Sequence, residues 1–101
     1  MPTVYITTEP MTIYDKDGTR LSEPRPIMNF KPAASYGKLE VLLQYNSGMM
    51  TSTVPTIRKL KDKLANFTDE DYLVPVGDPA LIMAAGAIAA GNNRGRVKLL
   101  S

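Results

Sequence analysis

Apolar and polar positions alternate through Thr3–Thr8, and the β-branched content makes this run a strand, which Pro10 interrupts. Two short runs, Met11–Tyr14 and Thr19–Ser22, flank Asp15-Lys16-Asp17-Gly18. An Asp-Gly pair between apolar runs predicts a hairpin, because its turn needs positive φ. Pro24-Arg25-Pro26 reads as a stiff connector and Pro32 restricts a second one. In Lys38–Tyr45, Leu39, Val41, Leu43 and Tyr45 share one face and Leu42 adds apolar surface to the other, which predicts a central strand. Asn46–Thr53 is a loop rich in Gly and hydroxyl groups.

From Thr53 the period changes to that of a helix. Pro55 falls in the first turn, where a missing N–H is harmless, and Ile57, Leu60 and Leu64 form a buried stripe. Asn66-Phe67-Thr68 ends this helix. Leu73–Val76 is a short apolar strand. Asp78 then caps a second helix with Pro79 at its first position, Gly91 stops it, and Val97–Leu100 is the last strand. The predicted fold class is α/β (or α+β): a β-rich segment over residues 1–36 with a hairpin at the edge of the sheet, then a β-α-β-α-β unit over 37–101 with a small parallel or mixed sheet. Both parts belong to a single domain, as a chain of 101 residues implies.

Composition narrows the function. The 44% apolar fraction argues against disorder, and a net charge of +2 gives nucleic-acid binding little support. With no cysteine there is neither a disulfide framework nor a thiolate metal site, and with no histidine the commonest general base is missing. Asp69, Glu70 and Asp71 are adjacent and point apart, so they read as a solvated loop leading into a strand. No catalytic residue, metal site or cofactor is implied. The N-terminus lacks the pattern of a signal peptide and the longest uncharged stretch is too short to span a bilayer, so the expectation is a soluble protein with no membrane partner.

Three segments remain as candidate sites. In open α/β sheets ligands gather beyond the carboxyl ends of strands. There Asn46, Ser47, Thr51, Ser52 and Thr53 offer hydroxyl, amide and helix N-terminal groups, and Gly77 and Asp78 form a second loop. The first loop lacks the Gly-Lys-Ser/Thr ending of a Walker A motif, and the Asp78 carboxylate repels an anion, so the plainer reading is a capped helix and a connector. Arg58, Lys59, Lys61 and Lys63 make a basic helix face suited to phosphates. Asp62 interrupts it and no aromatic platform interleaves, so a solvated face is the plainer account. The helix over residues 79–90 carries no charged side chain. Leu81, Ile82, Met83 and Ile88 do not share one stripe, and alanine and glycine fill the rest. A helix apolar all round is buried on more than one side. Its second side needs either the N-terminal β segment of its own chain or a partner. Asn92-Asn93-Arg94-Gly95-Arg96 reads as a turn.

The run Phe67–Pro79, the helix Pro55–Leu64 before it and Asn93–Leu100 after it resemble small proteins encoded by tailed bacteriophages, over roughly residues 30–100. The resemblance brings no activity and no binding residue. The similar proteins continue past the last strand with aromatic and basic residues, so the resemblance also implies that this chain is short at its C-terminus. It implies a protein made in the host bacterial cytoplasm, with a place in the virion left open. The leading expectation is a non-enzymatic accessory protein that binds protein. Its partners are a second copy, through the 79–90 helix, or a host or phage protein. The alternatives are a small-ligand or nucleotide module at the strand ends, and a weak nucleic-acid binder through the 55–65 helix.

Overall fold

The computed structural model describes residues 2–43 and 53–100. At its centre lies β1 (Thr3–Thr8), flanked by β4 (Lys38–Leu43) on one side and β5 (Tyr72–Val74) on the other, both parallel to it. On the far side of β5 the C-terminal segment continues the sheet: Leu73 N–H donates to the Lys98 carbonyl at 2.9 Å and Leu100 N–H to the Leu73 carbonyl at 3.0 Å. The fold is therefore mixed α/β; β4, α1, β5 and α2 follow in the predicted order, and the expected last strand, Val97–Leu100, is reduced to the single bridge of Leu99 to Leu73.

The register assigns residues to faces. Val4 aligns with Leu39 and Tyr72, and Ile6 with Val41 and Val74, so these side chains share one face. Tyr5 and Leu73 point to the other, where α1 (Thr53–Lys63) and α2 (Pro79–Gly91) pack. That helical face holds the larger core: Tyr5, Leu42, Leu60, Leu64, Phe67, Leu73, Ala85 and Ala89 are all buried. Each large apolar side chain removed from water there contributes about 1.5–3 kcal/mol. Among the described residues the opposite face is covered by a 3-10 segment, Lys31–Tyr36, through Phe30 and Ala33. Chirality explains the split. The chain steps from β1 to β4 in one direction and from β4 to β5 in the other, so crossovers of one hand must run over opposite faces. The step out of β1 carries no long helix, and its face stays thinly covered.

Residues β2 (Met11–Tyr14) and β3 (Arg20–Pro26) form the expected hairpin, closed at its tip by Asp15 N–H to the Thr19 carbonyl at 2.7 Å. It is a separate two-stranded sheet rather than an addition to the edge of the main one. No residue of either strand is buried. The arm lengthens the molecule to 47 × 33 × 18 Å, and the radius of gyration of 14.3 Å exceeds the ~13 Å of a globular domain of this length.

Three sequence expectations change. The strand at 38–43 is an edge strand, and β1 takes the central place, because Tyr5 and Thr7, polar by type, are buried against the helical side. The Thr7 hydroxyl is satisfied by the Val74 carbonyl at 3.2 Å. Pro24 and Pro26 lie within β3, tolerated because the two-stranded ribbon is all edge and its register shifts between Thr12 and Tyr14. The segment around Pro32 is a 3-10 helix rather than plain connector. It hands over to β4 at Gly37, where a Cβ would overlap the Pro2 carbonyl that Lys38 N–H bonds at 2.9 Å.

Candidate functional site

Helix α2 begins as its sequence dictates. The Asp78 carboxylate accepts from Ala80 N–H at 2.8 Å and Leu81 N–H at 3.2 Å, and Pro79 supplies a preset φ where no donor is needed. Ala85 and Ala89, fully buried, let the helix backbone come close to the sheet, and Leu81, Ala84 and Ile88 pack beside them. At the far end the Asn92 side-chain amide donates to the Leu64 carbonyl at 3.1 Å, fastening α2 to the end of α1. The remaining positions, Pro79, Ile82, Met83, Gly86, Ala87 and Ala90, turn away from the core, and Met83 is 74% exposed. Of the four residues expected at an interface, Leu81 and Ile88 face the core, while Ile82 and Met83 lie on the outer side. Of the N-terminal β segment that the sequence offered as cover, β1 lies against the inner side of α2, while the β2–β3 hairpin forms a separate sheet.

The carboxyl ends of β1 and β5 meet where the chain reverses its direction of travel, the usual ligand position in an open sheet. Gly77 adopts φ +108°, and a Cβ there would approach the Thr8 Cβ to 3.1 Å. The Thr8 hydroxyl is buried and has no hydrogen-bond partner among the described residues. Asp78 spends its carboxylate on its own helix. Asn46, Ser47, Thr51 and Ser52 lie outside the described residues, and Thr53 opens α1.

Arg58, Lys59 and Lys61 are exposed on α1 and stand in no ion pair among the described residues. Lys63 does not join them: its Nζ donates to the Val41 carbonyl at 3.1 Å and guards the outer edge of β4. The acidic run is also less uniform than its sequence suggests. Asp71 is buried and accepts from Thr3 N–H at 2.8 Å, Thr68 N–H at 2.9 Å and the Thr68 hydroxyl at 3.2 Å, stitching the start of β1 to the loop before β5. Asp69 pairs with Arg96 at 2.7 Å and accepts from the Asn93 amide at 2.9 Å. The Asn93 hydrogen bond and the Arg96 charge hold its carboxyl below the ordinary range. Burial, reinforced by the Asp71 and Glu40 charges, raises the Tyr5 phenol. Among the described residues no cluster of three or more metal-ligating side chains occurs.

Sequence reasoning missed one feature. On the thinly covered face a groove of about 510 Å³ runs between the 3-10 segment and β5, lined by Met28, Phe30, Pro32, Tyr36, Val76 and Leu100 among others. Its size suits a ligand or a peptide side, and its lining is apolar and aromatic. Tyr36 meets Tyr72 edge-on with ring centroids 5.4 Å apart, and Lys98 Nζ stands 4.3 Å over the Tyr72 ring. The residues that build it come from three distant parts of the chain. The one local signal is the pair of aromatics, Phe30 and Tyr36, on either side of Pro32.

No helix among the described residues is long and apolar enough to cross a membrane. Neither curated proteins nor solved structures give a match to this chain. A family model does, over residues 2–101, and its description agrees with the phage resemblance read from the 55–100 region. The chain belongs to the Phage Pam3 gp32-like protein family.

Proposed function

We propose that this phage protein is a non-enzymatic accessory protein that works by binding protein in the host cytoplasm, and that it binds a second copy of itself through the outer side of α2. The observation that carries the reading is that side: thirteen residues of helix, about three and a half turns, without one charged or hydrogen-bonding side chain turned to solvent. A surface helix of a monomer ordinarily carries a polar face. Gly86 adds to it. Glycine at mid-helix costs about 1 kcal/mol relative to alanine, yet a Cβ there would meet nothing within 4 Å. No contact within the described chain asks for glycine, whereas a helix crossing close over that side does. The small-ligand and nucleic-acid alternatives draw less support: Asp78 caps its own helix, and Lys63 bonds a strand carbonyl.

Native mass spectrometry of the purified chain tests the reading. The expected result is a dimer or larger assembly whose mass Met83→Glu lowers by breaking the α2 contact while the chain stays folded. A wild-type monomer at micromolar concentration, or an assembly indifferent to Met83→Glu and Ala87→Glu, overturns it.

A further inference from the structure

We propose that the groove on the open face of the sheet receives the β2–β3 hairpin of a second copy, each chain lending its arm to the other. This contact rests on the self-association proposed above but uses a different surface from α2.

Two incomplete elements of the same chain motivate it. The hairpin is an arm without a core: neither strand buries a residue, and an isolated two-stranded hairpin is at best marginal in water. The groove is a core without a lid, on a parallel sheet whose kind is normally covered on both faces. Within one chain they do not meet. Ile27 N–H donates to the Pro10 carbonyl at 3.1 Å and closes the base of the arm, and only Met28, Asn29 and Phe30 separate that base from the 3-10 segment. With so short a tether, and with Pro26 fixing its own φ, the arm is held off the groove at whose rim it begins.

The chemistry of the two surfaces matches. β3 offers an extended segment with Pro24 and Pro26, and the groove offers Phe30 and Tyr36 beside prolines, the pairing by which aromatic grooves take extended proline segments. Of the charges beside those prolines, Arg25 is already paired with Asp15 at 3.2 Å, which leaves Glu23. At the groove's aromatic end Lys98 rests on Tyr72 and, among the described residues, forms no salt bridge, although its charge is felt at Asp69. Glu23 of one arm thus finds Lys98 of the other chain. The exchange is isologous, each arm meeting the other's groove, so it closes at two chains.

The chain has no cysteine, which makes a clean test available. Chains carrying Glu23→Cys and chains carrying Lys98→Cys, one label each, are mixed, checked for fold by circular dichroism and oxidised. The expected result is a mixed disulfide dimer well above the yield from a pair of unrelated exposed sites, Lys59→Cys with Glu70→Cys. It should persist when both chains also carry Met83→Glu. In the reduced state, Glu23→Lys weakens the contact two- to five-fold, the range of an exposed ion pair, and adding Lys98→Glu restores it. A mixed yield no higher than the control overturns the arm exchange and leaves the α2 reading standing. A mixed disulfide that vanishes with Met83→Glu overturns its independence from α2. A doubly substituted chain that oxidises only within itself places the arm on its own groove and overturns the exchange.

Discussion

Helices α1 and α2 lie in one layer against one sheet face, and they solve the same packing problem in opposite ways. α1 reaches the core with large side chains, Leu60 and Leu64, and turns Arg58, Lys59, Lys61 and Asp62 to water. α2 reaches it with Ala85 and Ala89, so its backbone does the packing, and it turns no charge outward at all. The inner faces differ because the gaps they fill differ. The outer faces have no such excuse, since both look away from the same sheet. A charged outer face on one helix beside a bare one on its neighbour is the difference that the proposed self-association would account for.

The largest effects come from inverting the two inner faces. Leu60→Ala leaves a cavity under α1 and is expected to cost about 2–5 kcal/mol in denaturant unfolding. Ala85→Leu pushes α2 off the sheet and is expected to cost about 1–3 kcal/mol. If Ala85→Leu proves neutral, α2 is not held by close approach and the contrast between the helices fails. Next comes the cap. Asp78→Ala removes the acceptor for two N–H groups at the start of α2 and is expected to cost about 1 kcal/mol, with Asp78→Asn recovering most of it. Met83→Glu, on the outer side, is expected to change stability by no more than about 0.5 kcal/mol while breaking the proposed α2 contact. A large stability loss there would mean that the outer side is packed within the chain after all.

How much of this was legible follows from how local each cause is. The start of α2 was readable because Asp78 and Pro79 act within one turn of themselves; Gly91, expected to stop the helix, stays inside it, and the cap falls on Asn92. The hairpin turn at Asp17-Gly18 was readable too. The central place of β1 was not. Val4 and Ile6 against Tyr5 and Thr7 look like one wet face, and only the packing of Phe67 on Tyr5, centroids 5.7 Å apart, and the Val74 carbonyl on Thr7 make both faces dry. Asp71 and Lys63 were misfiled for the same reason. Residue type marks them as solvent-facing, and their partners, Thr3 and Val41, stand 68 and 22 positions away. The phosphate-loop reading rested on residues 46–52, which lie outside those described. The groove is the extreme case, since nothing at Met28 announces Val76 or Leu100.

The smallest effect concerns how the two helices end, and it is set by pH. α1 runs into Leu64 and Phe67, apolar and buried. The turn after α2 is closed instead by Asp69, which holds the Asn93 amide and the Arg96 guanidinium. Those partners lower the Asp69 pKa in the fold. A lowered folded pKa means that the carboxylate's contribution is present above the unfolded value, near 3.9, and is lost as pH falls through the folded one. Amide shifts at Asn93, Gly95 and Arg96 should therefore titrate together below the ordinary aspartate range, and those at Leu64 and Phe67 should stay still. Asp69→Asn should remove the titration and leave neutral-pH stability nearly unchanged, because the pair is exposed on both sides. A matching titration at Leu64 would instead couple the two helix ends through the Asn92 bridge, and the distinction drawn between them would hold only at neutral pH.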